Sequence, residues 1–230
     1  NSKVDTPKSY TKPKFNVVFV DKEMREYIEK ARNNEGNMDK LYKEIVLKPI
    51  SYEAGMSIKH LPDWASTHFK VIKDLDGLEN EINILAKEDV VDIVEGALEE
   101  CNNFIHGSDA TVYIFPSNTD KRIIKRTTNG GIGGVAYENG SIFLFVNPAN
   151  IKWKENLKST LAHEYHHVIC MGRNYDTRNL LYYLLLEGRA DSFAHIVYPN
   201  VDISYIPSIS IMTQREVWNE IKPNLETGDV

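Results

Sequence analysis

Apolar and polar positions alternate along this chain with two different periods. From Asp89 to Phe104 the apolar residues Val91, Ile93, Val94, Ala97 and Leu98 gather on one side at helical spacing, which predicts an amphipathic helix. Upstream, Phe15 to Val20 reads as a strand, and Asp21 is a suitable N-cap for a helix over Lys22 to Asn33. A shorter helix is expected from Met38 to Leu47, ending near Pro49, which has no N–H to continue it. Met56 to His60 fits neither period. Thr111 to Phe115 reads as a strand stopped by Pro116. Residues 133 to 148, GGVAYENGSIFLFVNP, predict a hairpin: a short strand, the turn signal Asn139-Gly140, then a second strand from Ser141 to Val146. Leu180 to Leu186 is an unbroken apolar run, the pattern of a helix buried all round.

Chemistry concentrates in LAHEYHHVICMG, residues 161 to 172. His163-Glu164-Tyr165-His166-His167 fits the spacing H-E-x-x-H. Residues four apart lie one above the other on a helix, so His163 and His167 can offer two imidazoles to one ion. Glu164 sits about 100° round the helix, near enough to reach a water on that ion without being a ligand. Zinc lowers the pKa of such a water to about 7, and a carboxylate can then take its proton. An exposed polar helix face would carry the same letters, so the neighbourhood has to decide.

A catalytic zinc site usually has three protein ligands and one open position. The third is expected from LLLEGRADSFAH, residues 184 to 195. Glu187 breaks the apolar run and Asp191 follows four residues later, on one helix face with Leu180 and Leu184. Buried carboxylates are costly unless paired or bound to metal. Glu187 as ligand and Asp191 as acceptor for the outer N–H of a ligating histidine would satisfy both. The alternative is that Arg189 or a lysine neutralises them at a helix edge.

His163-Glu164-x-x-His167, with Glu187 twenty positions on and Asp191 four later, resembles the thermolysin-type gluzincin arrangement. HEYHH and LLEGRAD are similar to a group of bacterial predicted Zn-dependent proteases, the YjaZ-like group, over roughly residues 110 to 198. The resemblance implies zinc bound by His163, His167 and Glu187, with Glu164 as general base and Asp191 behind a ligand. It also implies an α+β, zincin-like fold: a small mixed sheet whose edge-strand hairpin packs on the H-E-x-x-H helix and a second buried helix, with further helices N-terminal. The hairpin around Ala136-Tyr137 is similar to the edge strand that pairs with substrate backbone in such enzymes. Gly134, Val135, Ala136 and Tyr137 are therefore the expected substrate strand. Gly130, Gly131, Gly133 and Gly134 would let a peptide approach closely.

Other residues receive plainer readings. Cys101 and Cys170 form no C-x-x-C, so neither a redox motif nor a disulfide framework follows. Cys170 reads as a buried thiol beneath the site, since a fourth protein ligand would close the open position. His166 is expected to point away from the His163–His167 line and to hydrogen-bond at the helix surface. Gly172 fits a helix stop. His60, His68 and His106 read as surface or satisfied histidines. Tyr175, Tyr182, Tyr183, His195, Tyr198 and Tyr205 are equal candidates for stabilising an oxyanion.

Composition sets the frame. A chain of 230 residues, 42% hydrophobic, can bury a core in one domain. Its net charge of -6 and the absence of a basic stripe argue against nucleic acid as the main partner. Residues 1 to 14, rich in Lys, Pro, Ser and Thr, are expected to be a disordered leader of the kind that follows a removed signal. That suggests an extracytoplasmic protein, secreted or tethered to a membrane, with a cytoplasmic one as the alternative. A single domain is expected over 15 to 230: a mainly helical part (15 to 108), a metal-site core (109 to 200), and a C-terminal extension (201 to 230) shorter than the resemblance would imply. The expected activity is zinc-dependent hydrolysis of peptide or protein substrates. The rival is a zinc-stabilised protein that holds peptides without cutting them, which would have no need of Glu164.

Overall fold

The computed structural model describes residues 12–56, 71–117, 130–171, 179–201 and 210–228. Strand β1 (Phe15–Phe19) leads into helix α1 (Asp21–Arg32), followed by α2 (Met38–Tyr42), a π-turn (Lys43–Leu47) and α3 (Lys48–Glu53). Helices α4 (Leu75–Lys87) and α5 (Val90–Phe104) precede β2 (Ala110–Pro116). The hairpin of β3 (Ile132–Ala136) and β4 (Ser141–Val146) then leads to α6 (Trp153–Met171), α7 (Leu180–Val197) and α8 (Ile211–Ile221). The fold is α+β.

The four strands form one mixed sheet in the order β1-β2-β4-β3. β1 and β4 both run parallel to β2, and β3 runs antiparallel to β4 with Gly134 opposite Leu144. Both faces of the sheet are covered, and strand alternation sorts the side chains between them. Val112, Ile114, Ile142, Leu144 and Val146 enter a core with Val94, Leu98, Leu157 and Leu161 from α5 and α6. Tyr113, Phe115, Phe143 and Phe145 enter a second core with Met24, Tyr27, Val46, Leu78 and Ile82 from the N-terminal helices. Tyr113 stacks on Phe143 at 5.1 Å between ring centres. The turn of the hairpin is tied to this second layer, where the Asn139 side-chain amide donates to the Ala54 carbonyl at 2.8 Å.

Several local expectations shift. Asp21 is the first residue of α1, and Val20 stands at the cap position with no side-chain bond. Pro49 does not end the second helix; helical structure runs on to Glu53. The five-residue π-turn just before it explains this, because a widened turn relieves the clash between a proline ring and the preceding carbonyls. Helix α4 was not marked by the apolar pattern, yet it has a clear cap: the Asp74 side chain accepts the Gly77 N–H at 2.9 Å. Asp89 precedes α5 in a left-handed conformation, φ 49°, and does not begin the helix. Pro116 closes β2 from within, paired with Val146.

The last residues of the expected leader are tied to the domain. Lys12 pairs with Glu99 at 2.8 Å, and the Lys14 N–H donates to Asp109 Oδ1 at 2.7 Å. The remainder of that leader lies outside the described residues, as do 57 to 60 of the ambiguous stretch, His68, Gly172, Tyr175 and Tyr205. No helix among the described residues is long and apolar enough to cross a membrane.

Candidate metal centre

Helix α6 is buried on most sides, and its sides do different work. Leu157, Leu161, Ala162, Tyr165 and Val168 pack into the core. Thr160 and Glu164 turn to the edge strand β3, and His163 and His167 turn to α7. Helix α7 meets α6 through Leu186, Ala190, Phe193 and Ala194, a stripe with helical spacing. Glu187 and Asp191 flank that stripe, and both carboxylates face the histidines.

The distances define a site. His163 Nε2 lies 2.9 Å from His167 Nε2. Glu187 Oε2 is 3.2 Å from His163 Nε2, and its Oε1 is 3.5 Å from His167 Nε2. Donors held at about 2.0–2.1 Å by a tetrahedral zinc are separated by roughly 3.3 Å; the spacings here are near that value, with each carboxylate oxygen of Glu187 facing one histidine. Asp191 Oδ1 lies 2.8 Å from His163 Nδ1. A carboxylate only accepts, so Nδ1 carries the proton and Nε2 turns its lone pair to the other donors. His167 Nδ1 is buried with no hydrogen-bond partner among the described residues. Two imidazole nitrogens 2.9 Å apart need a cation between them, a proton or a metal. The donor set, two neutral nitrogens and one carboxylate oxygen, suits zinc.

The electrostatics point the same way. Burial disfavours charge on His163, but the hydrogen bonds to Asp191 and Glu187 and the nearby Glu164 carboxylate outweigh it and push its pKa up to about 10. Glu187 is held well below the carboxylate range by its hydrogen bonds to His163 and His167. The cluster therefore favours positive charge at its centre.

Glu164 lies apart from the three candidate ligands. It is 7% exposed, and burial raises its pKa, helped by Glu187 and opposed by the two histidines. The Ala136 backbone amide faces its carboxylate and opposes that rise. In β3 the N–H groups of alternate residues point to opposite sides; Tyr137 donates to Ser141 in β4, so Ala136 and Gly134 turn to the open edge. The expected substrate strand Gly134, Val135, Ala136 and Tyr137 is thus the end of the edge strand and the first turn residue, beside Glu164. The space at Gly134, expected to admit a peptide, is instead filled by the side chains of Glu164 and Thr160 on α6.

Four expectations are corrected. Glu187 is not buried: its side chain is 57% exposed. Helix α7 is not buried all round, since Leu181, Leu184 and Leu185 are exposed. An apolar run states what a helix can bury, whereas its surroundings decide what is covered. His166 is not a surface residue; it is buried, with its ring 5.6 Å from that of Phe193. Cys170 is only partly buried and lies outside the metal cluster, 3.6 Å from His166 Nδ1. Of the oxyanion candidates, Tyr198 is engaged elsewhere, donating to Glu100 at 2.7 Å. His106 Nδ1 bonds the Asn102 carbonyl.

Fold and site together define an α+β protein with a His/His/Glu cluster able to hold a divalent metal. Residues 90–229 match the family described as predicted Zn-dependent protease (DUF2268), and the chain belongs to that family. No curated protein and no solved structure matches the chain.

Proposed function

We propose that this protein is a zinc metallopeptidase of gluzincin type, akin to the YjaZ-like group, in which His163, His167 and Glu187 hold the metal and Glu164 is the general base. The observation that carries the reading is the His163, His167 and Glu187 cluster, its contacts at 2.9, 3.2 and 3.5 Å, with the buried Glu164 carboxylate beside it and not part of it. A purely structural metal site has no use for that carboxylate. Zinc bound there would supply Lewis acidity, lowering the pKa of water and polarising a carbonyl.

The chain's own residues do the rest. Asp191 holds His163 in the tautomer whose Nε2 is free to ligate. Glu164, with its proton affinity raised by burial, accepts a proton from the attacking water and passes it to the leaving amine nitrogen. The open edge of β3 receives an extended peptide by strand addition.

The test is Glu164→Gln, which keeps shape and removes the base. Zinc content should stay, and chelator-sensitive cleavage of a diverse peptide library should fall by about 10²–10⁴-fold. Peptide binding by wild type and variant with cleavage by neither would replace the peptidase with a peptide-holding protein.

A further inference from the structure

Gly134 and Glu164 stand on different elements, and no room is left between them. A Cβ built on Gly134 would lie 2.6 Å from Glu164 Cγ, 2.8 Å from its Oε1 and 2.9 Å from Thr160 Cγ2. Carbon atoms in contact normally sit about 3.5–4.0 Å apart. The backbone does not require glycine here: the glycines with positive φ are Gly55, Gly130, Gly131 and Gly140. Gly134 is an ordinary strand residue opposite Leu144. A glycine inside a strand, with no turn to make, marks a close approach. What it approaches is the side chain assigned above as the base.

The geometry points to Gly134 as a positioning residue: its missing side chain is the slot that holds the Glu164 carboxylate in its working orientation. This inference rests on the reading of Glu164 as the base. Three neighbours fix the slot. The ladder to β4 holds the strand from one side. Thr160, one turn before Glu164 on α6, blocks a slide along the helix. The Ala136 backbone amide, two residues further along the strand, faces the same carboxylate. A methyl at position 134 would meet the side chains of Glu164 and Thr160, and the Glu164 γ-carbon stands nearest. Glu164 would move, while the donor atoms of His163, His167 and Glu187 are not among those the methyl meets.

The experiment compares full-length, zinc-loaded wild type with Gly134→Ala, Glu164→Ala and the double variant, reading bound zinc, kcat, KM and Tm. Gly134→Ala should keep its zinc and nearly its KM and lose kcat by about 10²-fold, the cost of displacing a reacting group by about 1 Å. The split between KM and kcat separates this role from simple support of the fold. Gly134→Ala should also lower Tm, and by less when Glu164 is already alanine, since most of the obstruction is then gone. Wild-type kcat in Gly134→Ala, or an equal loss of Tm in both backgrounds, would overturn the inference. Should Gly134→Ala fail to fold, folding of the double variant supports it, and failure of both overturns it. A wild type without chelator-sensitive cleavage would sink the peptidase reading separately. The Tm comparison, with the Glu164 position in a Gly134→Ala crystal, would then decide whether the slot exists: an unmoved carboxylate refutes it.

Discussion

Asp191 and His163 are 28 positions apart in the chain, and their side chains meet at 2.8 Å, carboxylate Oδ1 to ring Nδ1. The contact occupies Nδ1 and leaves Nε2 facing His167 and Glu187. Asp191→Asn keeps the size and loses the charge that holds the imidazole. Zinc affinity, measured by competition with a chromophoric chelator, should weaken about 10- to 100-fold with the fold retained. Undiminished affinity would leave the aspartate with no part in metal binding.

Glu187 supplies the only carboxylate of the cluster among the described residues. Glu187→Ala should lower the zinc retained after dialysis well below one per chain, with helix content unchanged by circular dichroism. Full retention would give the third ligand position to another residue.

Metal should also act on stability. A ligand that binds only the folded state at 100 times its Kd adds about 2.7 kcal/mol, worth roughly 5–10 °C in Tm for a domain of this size. Calorimetry of chelated and zinc-restored protein checks this. Identical melting curves would mean that the cluster does not bind the metal.

The two cysteines should react differently. Cys101 is buried; burial, then the charge of Glu100, pushes its thiol up to about 12. Cys170 is partly exposed. A thiol reagent at pH 8 should therefore modify one cysteine per folded chain and two after denaturation, with the fast site lost in Cys170→Ser.

The core side of α6 offers a control for the site. Leu161 is fully buried among sheet and helix residues. Leu161→Ala should cost about 2–5 kcal/mol of stability by denaturant titration. It should leave the zinc affinity of the remaining folded protein near wild type, because His163 and His167 project from another side of the helix.

The His163, His167 and Glu187 cluster was legible because helical spacing turns sequence distance directly into position. His163 and His167 share a face of α6, and Glu187 and Asp191 share a face of α7, whatever else the chain does. The hairpin was equally plain, since Asn139-Gly140 fixes the turn. What stayed hidden depends on neighbours distant in sequence. Glu187 joins the cluster from an exposed position, whereas the leucines before it suggest burial. His166 looks like its neighbours in HEYHH, and only Phe193 on α7 reveals that it is buried. Helix α4 has Leu78, Ile82 and Leu85 at helical spacing, but Gly77 and the polar residues around them mask the period. Gly134 signals a close approach but not what makes it, because the meaning of a missing side chain lies in the atoms that take its place.

The strand order bears on how this protein can be produced. The stretch matching the family begins at residue 90, whereas β1, at residues 15–19, forms the edge of the sheet opposite the candidate site. A fragment cut at that boundary would bare the backbone edge of β2, a strand whose side chains are buried on both faces. It would also strip the cover from Tyr113, Phe115, Phe143 and Phe145. Unpaired edges and bared aromatic faces are templates for self-association. The fragment from residue 90 onward should therefore precipitate when expressed alone and recover solubility when residues 12–89 are supplied, because the missing part is one edge of its sheet and one wall of its aromatic core.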